Sequence, residues 1–475
     1  MKLALPKGRL LKETAALLKK AGLGIEGYNE KSRNYRLKSS GFPHLFLKVF
    51  HERDIPIQVA IGNYDLGICG LDWVEELSVK YPSSNLVKVM DLGYGKIDIY
   101  AFTSVNSGVS SVGEINNGFD RVRIVSEYQN LAESFALRQR LRLFSILPIN
   151  GAGEVYPPES ADLAIIADAQ ANGFAGSDLV PLAKIITSRA FLIANRNGLA
   201  KAKRSKLLTH LQAFKWEAEE EKVVVAGGVT EGENVFKGIG VSNKIDEEGN
   251  EKLRLALPDG HLWKAASEYL DKVGLNIEGY SGKLVTRRPT IDLPGVVIKV
   301  IRPQDMPLQV ANGNFDLAIT GEDWLKDHLC HFPSSPVKEI LKLGFGKVTV
   351  VAVVSEDLAT RNVRDLRELV SKGLLPNLRV ASEYVNIADK YARYNHLEHY
   401  KIVPTWGASE AFLPEDADLL IENTETGETL AKHNLKVIDT VLESSACLIG
   451  HQDNIAHPSN KHKVNRIIDV MKKGC

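Results

Sequence analysis

A short hydroxyl-rich segment, Glu422-Asn-Thr-Glu-Thr-Gly-Glu-Thr-Leu430, has residue types that suit a phosphate. An apolar run precedes the segment and a helix-compatible run follows, so the pattern predicts a strand, a turn and a helix start. Such a turn gathers backbone N–H groups and threonine hydroxyls around one point. Glu422 and Glu425 would repel phosphate, but they suit sugar hydroxyls or a bound cation. The segment therefore predicts a sugar-phosphate site, and an ordinary helix start capped by Thr426 or Thr429 fits the spacing equally well.

The chain repeats itself with a period near 250 residues. Leu3–Pro6 recurs as Leu255–Pro258, and Gln58–Trp73 shares 11 of 16 residues with Gln309–Trp324 at an offset of 251. Collinear matches of this length indicate two domain-sized copies of one unit. We predict a first copy over residues 1–221, a turn-rich linker over 222–251 and a second copy over 252–475.

The composition is that of an ordinary soluble globular protein. The 475 residues carry 59 Lys and Arg against 59 Asp and Glu, so no global field attracts nucleic acid or an anionic membrane. The four cysteines are scattered, which predicts free thiols in a reducing, cytoplasmic compartment. No apolar stretch reaches 18 residues, so we expect no membrane span.

Each copy alternates predicted strands and helices. The copies open with short buried strands at Lys2–Leu5 and Leu253–Leu257, and each strand is followed by an amphipathic helix. Further strand and helix patterns alternate along each copy, which favours an α/β fold with mostly parallel sheets. Two sheets per copy, forming two lobes with a cleft between them, would fit a unit of this length. Ligands of such folds bind beyond the carboxyl ends of the strands.

Several motifs, taken in order, resemble the catalytic chain of ATP phosphoribosyltransferase. They are Ala4-Leu-Pro-Lys-Gly-Arg-Leu10, Asp54-Ile-Pro56, Gly62-Asn-Tyr-Asp-Leu-Gly-Ile-Cys-Gly-Leu-Asp72, Leu343-Gly-Phe-Gly-Lys347 and Thr426-Gly-Glu-Thr-Leu430. The resemblance covers nearly all of both copies. It implies an α/β protein made of two tandem copies of a two-lobed fold like that of type 2 periplasmic binding proteins.

The resemblance also implies a reaction, the first step of histidine biosynthesis. N1 of ATP attacks C1′ of phosphoribosyl pyrophosphate (PRPP), pyrophosphate leaves, and Mg²⁺ is carried mainly by the substrate phosphates. Short members of the family depend on a histidyl-tRNA-synthetase-like regulatory partner. Two alternatives stay open: this chain requires such a partner, or the fusion replaces it. An intramolecular pseudo-dimer could also self-associate further, and we expect neither nucleic acid nor membrane as a partner.

The family's phosphoribosyl loop is an acidic residue followed, four positions on, by Thr-Gly-x-Thr. The second copy matches this pattern with Glu422, Thr426, Gly427 and Thr429, and Thr424, Glu425 and Glu428 complete its turn. The first copy has Ile166, Gln170, Ala171 and Gly173 at the equivalent positions. Because those residues offer no hydroxyls, we expect the first copy not to bind a 5′-phosphate.

The family's opening Lys-Gly-Arg is distributed in the opposite way. The first copy has Lys7, Gly8 and Arg9, whereas the second has Asp259 and His261 in place of the two cations. Two cations at a helix start oppose the helix dipole, so an anion between them would explain their presence. A solvated first helical turn is the alternative.

Three further residues are assigned by resemblance. The family arginine that precedes Asp-x-Pro is Arg302 in the second copy, where His51 is its counterpart in the first. Arg33 lies in a Ser-Arg context like the family's, and a surface charge is the alternative. Glu410, in a Gly-x-x-Glu motif, would meet the ribose or Mg²⁺, although an acidic residue in a first helical turn would look the same.

The two copies therefore show complementary losses, and we predict one composite site. The second copy would supply the turn together with the catalytic residues Arg302 and Glu422. The first copy would supply Lys7, Arg9 and Arg33 across an interface. A simpler version has the second copy act alone. The alternative of another class is a non-catalytic regulatory protein that binds nucleotides or sugar phosphates.

Overall fold

The computed structural model describes residues 1–30, 34–168, 178–199, 207–213, 252–281, 286–425 and 427–474. The predicted linker, residues 222–251, and the predicted end of the first copy after residue 213 lie outside these residues. The described part of the first copy contains, in chain order, β1 (Lys2–Lys7), α1 (Leu11–Lys20), β2 (Arg36–Leu37), β3 (Phe46–His51), α2 (Ile55–Ala60), β4 (Leu66–Gly70), α3 (Leu71–Lys80), β5 (Leu86–Asp91), β6 (Ile97–Ser104), α4 (Ile115–Gly118), β7 (Val122–Ser126), α5 (Gln129–Arg138), β8 (Phe144–Pro148), β9 (Leu163–Ala167), β10 (Leu179–Ser188), β11 (Ala190–Asn195) and α6 (Leu207–Ala213).

The second copy repeats this order. Its described elements are β12 (Leu253–Pro258), α7 (His261–Lys272), β13 (Ile277–Glu278), β14 (Thr290–Ile291), β15 (Val296–Ile301), α8 (Met306–Ala311), β16 (Leu317–Gly321), α9 (Glu322–His331), β17 (Val337–Lys342), β18 (Val348–Ser355), α10 (Val363–Ser371), β19 (Leu378–Ser382), α11 (Val385–Tyr394), β20 (Tyr400–Pro404), β21 (Leu419–Thr424), α12 (Glu428–Lys432), β22 (Leu435–Ser444), β23 (Ala446–His451), α13 (Gln452–Ala456) and α14 (Pro458–Lys472). None of the described helices is long and apolar enough to cross a membrane.

Each copy forms two lobes, each with its own sheet. The end lobe, built from both ends of a copy, has strand order β2-β3-β1-β4-β11-β5 in the first copy and β15-β12-β16-β23-β17 in the second. The middle lobe has order β10-β6-β9-β7-β8 in the first copy and β20-β19-β21-β18-β22 in the second. The matching orders confirm the predicted two-lobed α/β fold, repeated twice along the chain. The prediction of mostly parallel sheets is wrong, because β6, β11, β18 and β23 run antiparallel to both of their neighbours and make every lobe sheet mixed.

The buried opening strands take the centre of the end lobes. β1 is parallel to both β3 and β4, and Leu3, Ala4 and Leu5 are fully buried. A strand covered on both faces reads as a continuous apolar run, which is why the sequence pattern located it. In the following helix, Leu17 and Leu18 lie on the buried face, as their spacing predicted.

A buried aspartate at the start of α3 ties the two lobes of the first copy together. Asp72 accepts hydrogen bonds from the Tyr128 hydroxyl (2.8 Å) and the Ser188 hydroxyl (2.6 Å), both of the middle lobe. Asp323 of the second copy accepts from Tyr384 (2.5 Å) and Ser444 (2.8 Å) in the same way. In both copies, buried hydrogen bonds to an aspartate therefore join the two lobes.

A Tyr-x-Asn motif, Tyr128-Gln-Asn130 in the first copy and Tyr384-Val-Asn386 in the second, adds to this contact between the lobes. Asn386, two residues after Tyr384, donates through its side chain to Asp327 (2.8 Å), and its backbone N–H donates to the same carboxylate (3.0 Å). Asn130 binds Glu76 equivalently in the first copy. The motif resembles a family feature, and here its described contacts hold the helices α3 and α9 against the middle lobes.

The two copies pack head to tail about a pseudo-two-fold axis. Lys48 in the first end lobe pairs with Glu415 of the second middle lobe at 2.8 Å. Lys299 in the second end lobe pairs with Glu159 of the first middle lobe at 2.7 Å. Because each end lobe contacts the other copy's middle lobe, the chain has the geometry of an intramolecular dimer with two clefts between copies.

Candidate functional site

The two inter-copy clefts differ in residue content. We call the cleft between the first end lobe and the second middle lobe cleft A, because it contains the hydroxyl-rich turn. Cleft B lies between the second end lobe and the first middle lobe. Positions that the pseudo-two-fold axis relates are offset by 251 or 252 up to β6 and β18, and by 256 from β7 and β19 onwards.

The predicted turn of cleft A begins where β21 ends at Thr424. The backbone N–H of Gly427 donates to the Thr424 hydroxyl oxygen at 2.9 Å, and Gly427 has φ = +72°, a conformation that favours glycine. Helix α12 starts at the next residue. The strand, turn and helix start therefore follow one another as the sequence predicted, and Thr429 lies half-buried in the first turn of the helix.

Three carboxylates lie close together beside this turn. Glu422 is buried and accepts hydrogen bonds from the Ser409 hydroxyl and the Asn423 backbone N–H. Burial, reinforced by the charges of Glu383 and Glu410, raises the pKa of Glu422 well above its ordinary value. Burial and the charge of Glu410 raise the pKa of Glu383 to about 7. A nearby cation or hydroxyl donor would therefore stabilise the ionised form of these three carboxylates.

The first copy supplies a cation opposite these acids. The Lys7 ammonium donates to the Tyr35 hydroxyl at 3.1 Å, and its charge opposes the rise in the pKa of Glu383. The Tyr35 ring stacks on His433 of the second copy with ring centroids 4.9 Å apart. The stack holds the Lys7 side of the cleft against the helix that follows the turn.

A second cation, Arg53, lies further along the same wall. Its guanidinium carbon is 5.1 Å from the ring centre of Trp73 and 4.2 Å from that of Trp406, a residue of the other copy. Cation–π contacts of this kind hold the guanidinium group between the two indole rings. His51 lies nearby, and burial together with the charges of Arg53 and Lys7 lowers its pKa to about 4. The imidazole is therefore neutral at pH 7, and the positive charge comes from Lys7 and Arg53.

Cleft B has a self-neutralised set of charges at the equivalent positions. Asp259 replaces Lys7, and it accepts from Arg287 at 2.7 Å and from Arg302 at 3.3 Å. Arg287, which replaces Tyr35, also donates to Glu154 at 2.9 Å. Ion pairs therefore cross cleft B. In cleft A, by contrast, Lys7 faces a group of three carboxylates.

A central cavity of about 790 Å³ lies between the copies. Equivalent residues of both copies line its walls, namely His51 with Arg302, Trp73 with Trp324, and Glu127 with Glu383. Arg53 and Trp406 also border it. Charged and aromatic groups from four lobes thus converge on one space.

A family model described as ATP phosphoribosyltransferase matches residues 51–213 and again residues 302–473. The two matches cover most of the chain and fall on the two structural copies. The chain belongs to the ATP phosphoribosyltransferase family. Its members are transferases of the first step of histidine biosynthesis.

Two curated relatives agree with this assignment. The ATP phosphoribosyltransferase of Solibacter usitatus is 33% identical over 217 residues, which are 45% of this chain and 70% of the relative. That of Sulfurisphaera tokodaii is 31% identical over 223 residues, 46% of this chain and 72% of the relative. The ATP phosphoribosyl transferase (HisG:HisZ) complex from Thermotoga maritima has a chain 20% identical to this one, with a TM-score of 0.37 over 47% of this chain and 98% of its own.

The structure brings together some of the residues predicted for the transferase site. Lys7, Glu410 and Glu422 meet around Glu383 in cleft A, where Thr424, Glu425, Gly427 and Thr429 form the turn. Gly8 has φ = +89° and turns the chain from β1 into α1 just behind Lys7. Arg33 and Thr426 lie outside the described residues, as does the side chain of Glu428.

Two predicted members of the composite site lie elsewhere. Arg9 pairs with Glu52 at 3.0 Å and with Asp72 at 3.5 Å inside the first copy, and it donates to the Gly95 carbonyl at 2.8 Å. Its charge is thus committed to the hinge of its own copy. Arg302 lies against Gly151 of the first copy and pairs with Asp259, so its direct contacts are in cleft B.

This placement changes the predicted partition between the copies. The position that faces the second middle lobe in cleft A is not Arg302 but its counterpart, His51. The prediction of a composite cleft that contains Lys7 and the turn stays a proposal. The roles predicted for Arg9 and Arg302 also stay predictions, although both side chains form ion pairs with other residues. The pseudo-two-fold pairing explains the difference, because each end lobe faces the other copy.

Sequence reasoning missed Arg53, Glu383 and Trp406. Arg53 precedes the Asp-Ile-Pro motif, and its counterpart is Gln304. Trp406 corresponds to Asn150. A comparison of the two copies at every equivalent position could have revealed Arg53 and Trp406, because each changes charge or aromatic character in one cleft only. It could not have revealed Glu383, because its counterpart, Glu127, is also a glutamate.

The raised pKa of Glu383 predicts a pH-dependent stability. An unfolded glutamate titrates near 4.5 and the folded side chain near 7, so the folded chain binds more protons between these values. Stability therefore falls as pH rises through that window. We expect Glu383→Gln to raise the free energy of unfolding at pH 8 by on the order of 2 kcal/mol and to flatten this fall. Thermal unfolding of both chains from pH 5 to 8 measures the free energy of unfolding and its pH dependence.

The control is Glu398→Gln, which changes an exposed glutamate of the same middle lobe. It should leave the pH profile as it is in the wild-type chain. An unaltered slope in Glu383→Gln would mean that the carboxyl is solvated in the folded chain.

Proposed function

We propose that this chain transfers the phosphoribosyl group of PRPP to N1 of ATP in cleft A. The main support is the contrast between the clefts. Cleft A combines a cationic wall from the first copy with the hydroxyl-rich turn and carboxylates of the second. In cleft B the equivalent charges neutralise one another, and residues 166–173 offer no hydroxyl-bearing side chain.

The second copy would hold the ribose 5-phosphate. Backbone N–H groups of the turn, with the hydroxyls of Thr424, Thr426 and Thr429, suit the 5-phosphate. Glu422 lies at the foot of the turn and Glu410 beside it, where they would accept hydrogen bonds from the ribose 2- and 3-hydroxyls. The carboxylates would thereby fix the sugar ring without facing the phosphate.

The first copy would hold the pyrophosphate and stabilise its departure. The bond from C1′ to pyrophosphate breaks with its electron pair on the leaving oxygen, while a lone pair on N1 of adenine forms the new bond to C1′. Lys7 and Arg53 would neutralise the charge that develops on the leaving oxygens. Neutral His51 would add a hydrogen bond without a charge. The reaction needs positioning and electrostatics more than covalent catalysis.

Mg²⁺ would enter as part of the substrate, on the pyrophosphate of PRPP. Oxygen donors are the ligands that Mg²⁺ prefers, and Glu410 is the half-buried carboxylate that could add one such donor to the phosphate oxygens. Across the described ranges, no three His, Cys, Asp or Glu side chains are grouped so that they could hold a metal ion. The protein's part would then be to place the magnesium-bearing substrate.

Isothermal titration with PRPP and Mg²⁺ tests the assignment of one cleft. We expect one binding site per chain. The double variant Thr426→Ala/Thr429→Ala should lose it, with affinity lowered by at least about 30-fold, because charge-assisted hydrogen bonds to the phosphate disappear. Arg302→His, which gives cleft B the histidine of cleft A, is the matched control and should retain the site.

Other outcomes point elsewhere. Two sites per chain would place a second phosphoribosyl site in the first copy. No binding would favour the alternative proposal, a non-catalytic regulatory protein, or a transferase that is inert without a partner. The Thermotoga maritima structure is named as a HisG:HisZ complex. Repeating the titration in the presence of a partner of that kind separates these two cases, because only a transferase that depends on the partner should then bind PRPP. Gel filtration of the chain beforehand detects self-association.

A further inference from the structure

A cavity of about 510 Å³ lies between the copies, away from both the turn and the central cavity. Its wall includes Glu159 and Ser160 of the first copy and Arg288, Lys299 and Phe315 of the second. Its volume is in the range of small-molecule pockets. The proposed transfer reaction uses none of these residues.

The pseudo-two-fold axis shows which group this cavity lacks. On the opposite side of the molecule, the fully buried Lys48 ammonium donates to two carboxylates, Glu415 at 2.8 Å and Asp416 at 2.7 Å. The hydroxyl of Tyr64 also donates to Asp416, at 3.0 Å. Two cations, Lys48 and Arg36, thus share two carboxylates there.

Around the cavity, two cations share one carboxylate. Lys299 donates to Glu159 at 2.7 Å, and Arg288 donates to the same carboxylate at 2.9 Å. Ser160 is the counterpart of Asp416, and Phe315 is the counterpart of Tyr64. The side of the molecule with the cavity therefore has one negative charge fewer beside a lysine that is 4% exposed.

The backbone around Ser160 has the same form as that around Asp416. The Ser160 N–H donates to the Tyr156 carbonyl at 2.8 Å, and the Asp416 N–H donates to the equivalent Phe412 carbonyl at 2.7 Å. The side chains at 160 and 416 therefore leave the backbone in matching directions. A carboxylate placed in the cavity next to Ser160 would occupy the position that the Asp416 carboxylate takes near Lys48.

The remaining wall defines the body of the ligand. Ile291, Val296, Ile298 and Phe315 give the cavity an apolar side. Burial lowers the pKa of Lys299 to about 8 even though Glu159 opposes the change, so its ammonium would gain from a second anion. Arg288 also donates to the Val155 and Pro157 carbonyls, which fixes it in place.

We propose that this cavity binds a small organic carboxylate, whose charge contacts Lys299 and whose apolar body lies over Phe315. The ligand would complete, on this side of the interface, the ion-pair arrangement that Asp416 completes on the other. Because it would touch both copies, its binding would strengthen their contact.

Butyrate is the probe, with butyramide as its uncharged analogue and inorganic phosphate as the competing anion, all at constant ionic strength. We expect 50 mM butyrate to raise the thermal unfolding midpoint of the full chain by a few degrees, and butyramide to leave it unchanged. Saturation-transfer NMR of the butyrate methyl group should detect the bound ligand directly. A response to phosphate and none to butyrate would overturn the assignment to carboxylates.

Ser160→Asp supplies the missing carboxylate within the chain. We expect this variant to have a higher midpoint without ligand and to lose both the butyrate shift and the NMR signal. Ser160→Ala, the matched control, should keep both. Lys299→Met, which removes the cation, should also lose the NMR signal. The proposal is overturned if Ser160→Asp and Lys299→Met bind butyrate as the wild-type chain does, or if the wild-type chain does not bind it.

Discussion

Lys7→Asp is expected to lower kcat/KM for phosphoribosyl transfer by at least about 100-fold. The substitution removes the cation that faces the acid group and puts a fourth carboxylate next to Glu383, Glu410 and Glu422. A charge-assisted hydrogen bond is worth about 1.5–3 kcal/mol, and the reversed charge adds repulsion of the departing pyrophosphate. Because the charge on the leaving group is greatest in the transition state, kcat should fall as well as affinity for PRPP. Steady-state kinetics with ATP and PRPP measures both constants.

The chain contains its own control for this experiment. Asp259 is the residue at the equivalent position in cleft B, where it pairs with Arg287 and Arg302. Asp259→Asn should weaken those ion pairs and lower thermal stability, while kcat/KM stays within about 3-fold of the wild-type value. If Asp259→Asn impairs turnover as strongly as Lys7→Asp, the assignment of the transferase site to cleft A is wrong.

Much of the fold could be predicted from local patterns. The apolar runs at the start of each copy predicted the buried strands β1 and β12. The internal repeat predicted two equivalent units. The turn at Thr424–Leu430 was also readable, because a buried strand ends there and Gly427 permits its positive φ. These features depend on residues that are close in sequence.

The content of the site depends on contacts that no local pattern reveals. Lys48 and Glu415 are 367 positions apart, and the stack of Tyr35 on His433 joins different copies. Which end lobe faces which middle lobe decides that the turn meets His51 and Lys7. The family motif predicts a site role for Arg302, but the sequence does not show that the packing of the copies places its direct contacts at Gly151 and Asp259. Arg9 resembled a ligand for phosphate, but two carboxylates of its own copy bind it.

Asp416→Ala is expected to cost about 3 kcal/mol of stability and to lower the thermal unfolding midpoint by roughly 5 °C. Lys48 is fully buried, and the substitution removes one of the two carboxylates that pair with its ammonium. The Tyr64 hydroxyl also loses its hydrogen-bond acceptor. Truncating one partner of a buried ion pair is costly because the other charge stays away from water. Ser160→Ala, at the equivalent position opposite, should shift the midpoint by less than about 1 °C.

A triple variant separates the charge from the packing. Lys48→Met in the Glu415→Gln/Asp416→Asn background removes the buried cation together with both of its carboxylates. Because this variant leaves no uncompensated charge at position 48, it should regain most of the midpoint lost in Asp416→Ala. A triple variant as unstable as Asp416→Ala would show that the shape of these side chains, and not the unpaired ammonium, holds the copies together. Recovery would instead mean that the unpaired ammonium of Lys48 causes the loss of stability in Asp416→Ala.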